Sequence, residues 1–366
     1  MKEGWVEKTL PEISENLDSM RIPITKKNRA EGIYPYYGAS GIVDYVNDYI
    51  FDEDLLCISE DGANLLMRTY PIAFPITGKV WVNNHAHVLR FKSMVTQKYV
   101  EYYFAGLKLD DYITGAAQPK LTQKALNKIN IHIPSTITEQ QEIVSYLDSA
   151  FAKIDALKKN AEKKLKELPY LYNKEINKIM KPREMWEKKR FGEVCIYKKE
   201  QGIYKNIPYI GMEHIESSTG HIIGHGNSND IKSSSFKFEK GDVLYGRLRP
   251  YLRKVYVAEF NGCCSTEVFP IRSKEVEPGF IKYWFLMDET SNKINDSSAG
   301  CRMPRGNMNE VKNYTFCYPK ERTEQRKIIS QLDDISDQIH KLENIMRKTI
   351  AECEALKQAL LRQVFE

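Results

Sequence analysis

Apolar residues follow a heptad pattern over the last segment of the chain, residues 323–366. They stand three and four residues apart at Leu332, Ile335, Ile339, Leu342, Met346, Thr349, Cys353, Leu356 and Leu360. Polar and charged residues fill the other faces, and neither Gly nor Pro interrupts the segment. This spacing is typical of a coiled coil, and so narrow an apolar stripe needs a partner helix.

A second segment with a similar pattern begins at Glu139 and supplies that partner. Its apolar positions are Ile143, Leu147, Ala150, Ile154, Leu157, Ala161 and Leu168. Glu139 and Glu324 stand 185 residues apart, and so do Pro134 and Pro319 ahead of the two segments. A spacing repeated in this way indicates an internal repeat. The first helix is expected to end or kink near Pro169, because proline lacks the N–H donor and clashes with the preceding turn.

The repeat extends upstream of both helices, with an offset that changes along the chain. Trp5 and Trp186 are 181 residues apart, whereas Pro35 and Pro208 are 173 apart. The framework stretches match while the segments between them gain and lose residues. This is typical of two copies of one fold whose loops differ in function.

Short β-rich stretches bounded by turn residues predict strands in each copy. They cover residues 49–51, 55–58, 79–82 and 87–91 in the first copy, and 243–245, 254–257 and 268–271 in the second. One helix follows in each copy, near residues 97–107 and 278–288.

The predicted fold class is α+β, with two similar globular domains that are each followed by a long helix. The two helices are expected to pack as an antiparallel coiled coil in a pseudo-twofold repeat. The expected boundaries are 1–138 for the first domain, 139–180 for its helix, 181–322 for the second domain and 323–366 for the last helix. The expected helix–helix interface consists of Ile143, Leu147, Ile154, Leu157, Leu332, Ile335, Ile339, Leu342, Met346 and Leu356.

Composition limits the class of protein. The chain has 366 residues, a length that is sufficient for two domains. Hydrophobic residues make up 42% and charged residues 28%, which is typical of globular proteins. It has neither a long apolar run nor an apolar N-terminal signal, so we expect no membrane segment and a cytoplasmic location. Seven cysteines without a C-x-x-C pair are expected to stay reduced. A net charge of +5 permits a polyanionic partner.

Motifs for catalysis or metal binding are incomplete. Asn206-Ile207-Pro208-Tyr209 departs from the N-P-P-Y motif of amino-group methyltransferases, and no glycine-rich loop would hold S-adenosylmethionine. His85 and His87 lack further ligands nearby and are expected to be surface or packing residues. We therefore expect neither catalytic nor metal-binding residues on this chain.

Basic, amide and aromatic residues concentrate instead in the predicted loops. Arg suits guanine edges, Asn and Gln suit adenine edges, and Lys suits phosphate. A solvated surface explains any one of these residues equally well, but the set favours nucleic-acid binding. The candidate DNA contacts are Lys26, Lys27, Arg29, Tyr36, Tyr37, Asn64, Arg68, Gln118, Lys120, Arg247, Arg249, Arg253, Arg302, Arg305 and Asn307.

Seven of these candidates are given a more specific role. Gln118 and Lys120, with Arg302 and Arg305, lie in matched loops just upstream of the long helices and are expected to contact DNA. Arg247, Arg249 and Arg253 are expected to contact phosphates, with some packing.

Over essentially its whole length, the chain resembles the specificity subunit of a type I restriction-modification system. The resemblance rests on the order of the modules and on the paired Pro-x(4)-Glu-Gln openings of the helices. It rests also on four motifs, which are Tyr34-Pro35-Tyr36-Tyr37-Gly38-Ala39-Ser40-Gly41-Ile42-Val43-Asp44-Tyr45-Val46, Ile58-Ser59-Glu60-Asp61-Gly62, Gly246-Arg247-Leu248-Arg249-Pro250-Tyr251-Leu252-Arg253-Lys254 and Cys264-Ser265-Thr266-Glu267.

The resemblance implies a non-catalytic subunit whose two domains each read one half of a bipartite, asymmetric site in double-stranded DNA. The segment 139–168, about 45 Å long as a helix, would set the spacing of the half-sites. Two modification subunits would dock on the helices and carry S-adenosylmethionine, and restriction or translocase subunits with ATP and Mg²⁺ would join further out. No cofactor is expected on this chain. Two other hypotheses stay open, a stand-alone DNA adenine methyltransferase and a coiled-coil interaction scaffold without DNA binding.

Overall fold

A computed structural model describes residues 2–115, 117–297 and 303–366. The chain forms two compact units. Unit 1 consists of Met1–Lys159 and Thr349–Glu366, and unit 2 consists of Asn160–Lys348. Each unit therefore contains one globular domain together with a part of both long helices. The predicted α+β class is confirmed.

Unit 1 contains ten strands and the first five helices of the described chain. The strands are β1 Trp5–Thr9, β2 Ser14–Asn16, β3 Tyr34–Gly38, β4 Gly41–Val46, β5 Phe51–Asp52, β6 Leu55–Ser59, β7 Ala73–Ile76, β8 Lys79–Val82, β9 Ala86–Phe91 and β10 Asn130–Pro134. The helices are α1 Leu10–Ile13, α2 Asn64–Met67, α3 Met94–Gly106, α4 Gln123–Leu126 and α5 Ile137–Ile179, the last of which continues into unit 2.

Unit 2 repeats this plan with small additions. Its strands are β11 Glu187–Arg190, β12 Cys195–Tyr197, β13 Gln201–Gly202, β14 Pro208–Ile210, β15 Gly226–Asn227, β16 Ser235–Phe238, β17 Val243–Gly246, β18 Val255–Val257, β19 Gly262–Cys264, β20 Val268–Ser273 and β21 Thr315–Tyr318. Its helices are α6 Phe191–Val194, α7 Pro278–Leu286, α8 Asp288–Asp296, α9 Met308–Val311 and α10 Arg322–Phe365, whose end belongs to unit 1.

The sheets of the two units correspond strand by strand. Unit 1 pairs β1 with β10 and has two four-stranded sheets, in the orders β2-β9-β6-β7 and β4-β3-β8-β5. Unit 2 pairs β11 with β21, orders β12-β20-β17-β18, and adds β13 to the third sheet in the order β13-β16-β19-β14-β15. In both third sheets one central pair is parallel, β3 with β8 and β14 with β19. Two copies of one topology therefore account for the internal repeat.

Each long helix is fastened at its start by a buried glutamine. The Gln140 side chain donates to the Pro134 carbonyl at 2.9 Å and accepts from the Thr96 hydroxyl at 2.8 Å. Gln325 repeats the first bond to the Pro319 carbonyl at 2.7 Å and accepts from the Glu277 amide at 2.7 Å. Because buried polar groups need partners, these bonds explain why both helix openings share a glutamine at this position.

A second repeated contact joins each long helix to an earlier helix of its domain, α5 to α3 and α10 to α7. The Tyr102 hydroxyl donates to Asp148 in unit 1, and the Tyr283 hydroxyl donates to Asp333 in unit 2 at 2.6 Å. Hydrogen bonds to a charged acceptor are stronger than neutral ones, so they fix the angle at which the helix leaves the domain.

The last turns of α10 complete the core of unit 1. Leu361 is buried there, and the Phe365 ring packs edge-on against Tyr99 and Tyr103. Near α5, Lys357 pairs with Asp155 at 2.5 Å and Lys158 pairs with Glu354. Within unit 1, higher numbers on one helix lie beside lower numbers on the other, so the two helices run antiparallel.

Three residues of the predicted helix seam are largely exposed, and their contact with the other helix stays a prediction. Leu157, Leu342 and Leu356 are 54%, 43% and 49% exposed, whereas Leu147 and Leu332 are fully buried. The buried side chains of the helices face the globular domains as well as the other helix, which a two-helix heptad does not anticipate.

Helix α5 continues through Pro169 to Ile179, so of the two expected outcomes the helix does not end at the proline, and a kink there stays a prediction. Leu168 and Tyr172 are both buried on either side of the proline. Packing on the flanking turns holds the helix although the proline removes one backbone donor.

Candidate nucleic-acid interface

Two loop clusters with one backbone plan lie where β6 ends in unit 1 and where β17 ends in unit 2. We call residues 60–62, 85 and 119–121 the unit 1 loop cluster, and residues 247–249, 267 and 304–306 the unit 2 loop cluster. Three matched amide-to-carbonyl bonds join each cluster. In unit 1 the bonds run, amide to carbonyl, from Glu60 to His85 at 2.9 Å, from Leu121 to Glu60 at 2.7 Å and from Gly62 to Pro119 at 3.0 Å. The matching bonds in unit 2 run, in the same order, from Arg247 to Glu267 at 2.9 Å, from Gly306 to Arg247 at 2.8 Å and from Arg249 to Pro304 at 2.8 Å.

The side chains at matched positions differ in charge. Glu60 corresponds to Arg247, and His85 corresponds to Glu267. Lys120 and Arg305 occupy one matched position and form equivalent isolated bridges to the strand-end loop. The two clusters therefore hold different chemistry on the same backbone frame.

In the unit 1 loop cluster, the Glu60 carboxylate is shared by two cationic side chains. It pairs with Lys120 at 3.1 Å and with Arg21 at 2.7 Å. Burial raises the pKa of Glu60, but the hydrogen bonds and charges of these cations outweigh it and leave the pKa below its ordinary value. Beside it, His85 pairs with Asp61 at 2.8 Å.

A buried network supports this cluster from beneath. His87 is fully buried, with Nδ1 2.6 Å from Asp18 and Nε2 2.8 Å from the Leu121 carbonyl. Asp18, Glu60 and His87 could bring three ligand atoms within 4.8 Å of one another. However, Arg21 already pairs with both carboxylates, so this group is better described as a salt-bridge network than as a metal site. His87 is thus a buried, hydrogen-bonded residue, and the expectation that it binds no metal stays a prediction.

In the unit 2 loop cluster, one carboxylate serves two arginines. Glu267 accepts from Arg247 Nε at 2.9 Å and from Arg305 Nε at 3.0 Å. Burial raises the pKa of Glu267, but the two arginine hydrogen bonds outweigh it and leave the pKa below its ordinary value. Arg249 is exposed in a left-handed conformation with φ of 54°. No ion pair of Arg249 is recorded among the described residues.

Three of the candidate DNA contacts have side chains that bond within their own unit, and their contact with DNA stays a prediction. Tyr36 is 1% exposed, and its hydroxyl bonds to both backbone groups of Ile24. Arg68 donates to the Phe104 carbonyl at 2.9 Å and to the Leu107 carbonyl, and burial lowers the pKa of Arg68. Arg253 is the third, because its guanidinium nitrogens all bond inside unit 2.

Two further candidates are engaged but remain partly exposed. The Asn64 side chain forms a reciprocal pair with the Tyr70 backbone, at 3.1 Å and 2.9 Å. Arg29 pairs with Asp44 at 3.0 Å, and its guanidinium lies 4.4 Å from the centroid of the Tyr36 ring. Both side chains thereby stabilise their own loops.

The other candidates lie at or near the surface. Lys26, Lys27, Gln118 and Asn307 are exposed, Tyr37 is half-buried against Phe74, and Arg302 lies outside the described residues. Asn307 also caps α9 by accepting from the Asn309 amide at 3.1 Å. Sequence reasoning missed Arg21 and Asp18, which no motif marks, and it gave no role to Glu60 and Glu267 although both belong to motifs that carry the family resemblance.

The comparisons with known proteins agree with one another. The family model for the "Type I restriction modification DNA specificity domain" matches residues 2–167 and 183–350. A Haemophilus influenzae protein, by name a type I restriction enzyme specificity subunit, is 34% identical over 145 residues, and the match spans 40% of this chain and only 37% of that protein. The Escherichia coli type I restriction enzyme EcoDI specificity subunit is 22% identical over 376 residues, and the match spans 92% of this chain and 82% of that protein.

Solved structures share the fold. A chain from a study of complex assembly and conformational transition of the type I R-M system aligns with a TM-score of 0.73 at 16% identity, and covers 100% of this chain and 98% of that one. The HsdS subunit from Thermoanaerobacter tengcongensis aligns with a TM-score of 0.60 at 16% identity, and covers 100% and 97%. In the described part of the chain, no helix is long and apolar enough to cross a membrane.

Proposed function

The chain belongs to the family of type I restriction modification DNA specificity domains, and on this premise we propose that it is the DNA-reading subunit of a type I restriction-modification complex. Unit 1 would bind one half of a bipartite site in double-stranded DNA, and unit 2 would bind the other half. The chain would supply recognition rather than catalysis, as the names of its relatives indicate for those proteins.

The observation that carries the proposal is the pair of loop clusters. Matched backbone bonds frame Glu60, His85 and Lys120 in unit 1 but Arg247, Glu267 and Arg305 in unit 2. Donors and acceptors placed at different positions read different base edges. Two such clusters on one topology support an asymmetric site with two unlike halves.

The partners belong to the same proposal. Two modification subunits would dock on the long helices and supply S-adenosylmethionine and the methyl transfer to adenine. Restriction or translocase subunits would bring ATP and Mg²⁺, and the helices would set the number of unread base pairs between the half-sites. The complex would act in the cytoplasm.

The proposal is tested by mapping methylated adenines in cells with and without this gene. We expect one bipartite motif to lose methylation on deletion and to regain it when the gene is restored. An exchange of the globular domain of unit 2 for that of another family member should change one half of the motif and leave the other half intact. Unchanged methylation after deletion, in cells that express the modification subunits, would contradict the proposal.

The two alternatives give different results in the same experiments. Methyl transfer by the purified chain without any partner would favour a stand-alone methyltransferase. An assembled complex with no sequence preference on DNA would favour an interaction scaffold.

A further inference from the structure

We propose that Arg305, oriented by Glu267, reads the edge of a guanine base in the half-site bound by unit 2. This inference rests on the proposed function and adds to it a specificity-determining residue and a base. Its basis is the way the guanidinium group is held.

The Nε of Arg305 bonds to the protein, and its terminal nitrogens Nη1 and Nη2 are available to a ligand. Its Nε donates to Glu267 Oε1 at 3.0 Å, and the side chain remains 49% exposed. Over residues 2–115, 117–297 and 303–366, no partner of the Arg305 terminal nitrogens is recorded. These two nitrogens form the planar fork that binds two acceptors at once.

The fork is ordered before any ligand arrives. The backbone at Arg305 forms a bridge with Leu248, and the next residue, Gly306, donates to the Arg247 carbonyl at 2.8 Å. Glu267 is held in turn, because its amide donates to the Ser265 hydroxyl at 3.2 Å and its carbonyl accepts from Arg247. A long side chain fixed in this way loses less conformational entropy on binding.

Guanine is the base that fits such a fork. In the major groove it presents two acceptors, O6 and N7, whereas adenine presents one acceptor and one donor. Glu267 also orients the fork away from itself, because its Oε2 accepts from Arg247 Nε and its Oε1 accepts from Arg305 Nε.

The neighbouring arginines are suited to other roles. Arg247 is less exposed, at 32%, and its guanidinium lies 5.3 Å from the centroid of the Phe269 ring. Arg249 is exposed and has no recorded ion pair among the described residues, which suits a phosphate contact. In unit 1 the matched position holds Lys120, whose single ammonium lacks the fork. The forked guanine contact is therefore assigned to Arg305 of unit 2.

The experiment uses the complete complex with its modification subunits, after the wild-type motif has been mapped. Binding and methylation are measured on duplexes in which each guanine of the unit 2 half-site is replaced in turn by adenine or by 7-deazaguanine, which lacks the N7 acceptor. The variants are Arg305→Lys, Arg305→Ala and Glu267→Gln. Arg326→Lys is a matched control, because Arg326 is an exposed arginine that donates through Nε to Glu277 at 3.0 Å.

We expect the wild type to discriminate against adenine at one guanine by about 5- to 150-fold. Arg305→Lys should weaken that discrimination at this one position, because the ammonium lacks the planar fork, while its salt dependence stays within one phosphate contact of the wild type. Arg305→Ala should lose the discrimination, and Glu267→Gln should weaken it with the arginine still present. The half-site of unit 1 should be read normally by all variants.

The failure of this inference differs from the failure of the proposed function. A wild-type complex without any sequence preference would remove the proposed function itself. A specific wild type whose Arg305 variants keep full discrimination at every guanine would overturn the guanine assignment alone. The guanine assignment also fails if these variants weaken binding equally on all duplexes, which marks a phosphate contact, or if the unit 2 half-site contains no guanine.

Discussion

Replacing Arg253 with alanine tests whether this residue holds unit 2 together instead of contacting phosphate. Its Nε donates to the Ser291 hydroxyl at 3.1 Å, and Nη1 donates to Asn173 Oδ1 at 2.9 Å and to the Leu286 carbonyl at 3.1 Å. Nη2 pairs with Asp288 at 2.7 Å. Asn173 lies on α5, so Arg253 ties the long helix to the globular domain of unit 2.

The expected loss can be estimated from these contacts. A hydrogen bond to a charged group contributes about 1.5–3 kcal/mol, and breaking a buried ion pair costs about 3–5 kcal/mol. The Arg253 side chain is only 17% exposed, but that of Asp288 is 48% exposed, so water compensates part of the loss. We therefore expect Arg253→Ala to lower the free energy of unfolding of unit 2 by about 2–4 kcal/mol. For a domain of 150–250 residues this lowers Tm by roughly 4–16 °C.

The assay must resolve the two units, because a chain of two units need not unfold in one transition. Hydrogen exchange of peptides from each unit separates them, and we expect faster exchange in unit 2 only. Arg249→Ala is the matched control, with an expected change in stability within about 0.5 kcal/mol and a DNA-binding salt slope reduced by about one. If Arg253→Ala leaves hydrogen exchange in unit 2 unchanged and lowers the salt slope of DNA binding as Arg249→Ala does, Arg253 contacts phosphate and does not stabilise unit 2.

Three further predictions concern stability. Gln140→Ala and Gln325→Ala should each lower the free energy of unfolding by about 1–3 kcal/mol, since a buried carbonyl loses its donor, and urea titration measures this. Leu332→Ala should cost about 2–5 kcal/mol and Leu342→Ala much less, as thermal unfolding will report, because only the first side chain is buried. Lowering the pH from 7 to 3.5 should destabilise unit 2 partly through Glu267, because the folded protein holds the pKa of this carboxyl below its ordinary value of 4.5. The stability that Glu267 contributes is complete above pH 4.5 and is lost as the pH falls through the folded pKa. Urea titration should therefore show a smaller loss of stability between these pH values for Glu267→Gln than for the wild type.

Each of these has a result that would contradict it. Wild-type stability of both glutamine variants would remove the role given to the helix openings. Equal losses for the two leucine variants would mean that the seam is buried along its whole length, as the heptad predicted. An unchanged pH dependence in Glu267→Gln would mean that the two arginines do not stabilise this carboxylate in the folded state.

The repeat was visible in the sequence because packing constrains its framework residues. Gln140 and Gln325 bind equivalent carbonyls, so their spacing is preserved. The pairing of β1 with β10 was not predicted, because it joins residues more than 100 positions apart and no local pattern reports it. The exposure of Leu342 was missed for the same reason, since a heptad does not show where the globular domains end.

The candidate interface was only partly predictable. Residue type alone placed Arg253, Arg68 and Arg305 in one group, because an arginine that holds a fold and one that faces a ligand look alike in a sequence. Their partners separate them, since Arg253 and Arg68 bond to carbonyls inside their units, whereas among the described residues the Arg305 side chain bonds through Nε to Glu267. The loop motif containing Glu267 was the available clue to that difference.

The composition of unit 1 has a consequence for biosynthesis. Its core includes Leu361, and the Lys2 ammonium donates to the carbonyls of Gln363 and Val364, at 3.3 Å and 2.5 Å. A nascent chain therefore cannot complete its first domain until residues 349–366 have been translated, 190 positions (349 − 159) after the rest of that domain. A chain that lacks residues 349–366 would leave the apolar surface that Leu361 covers in unit 1 open to solvent.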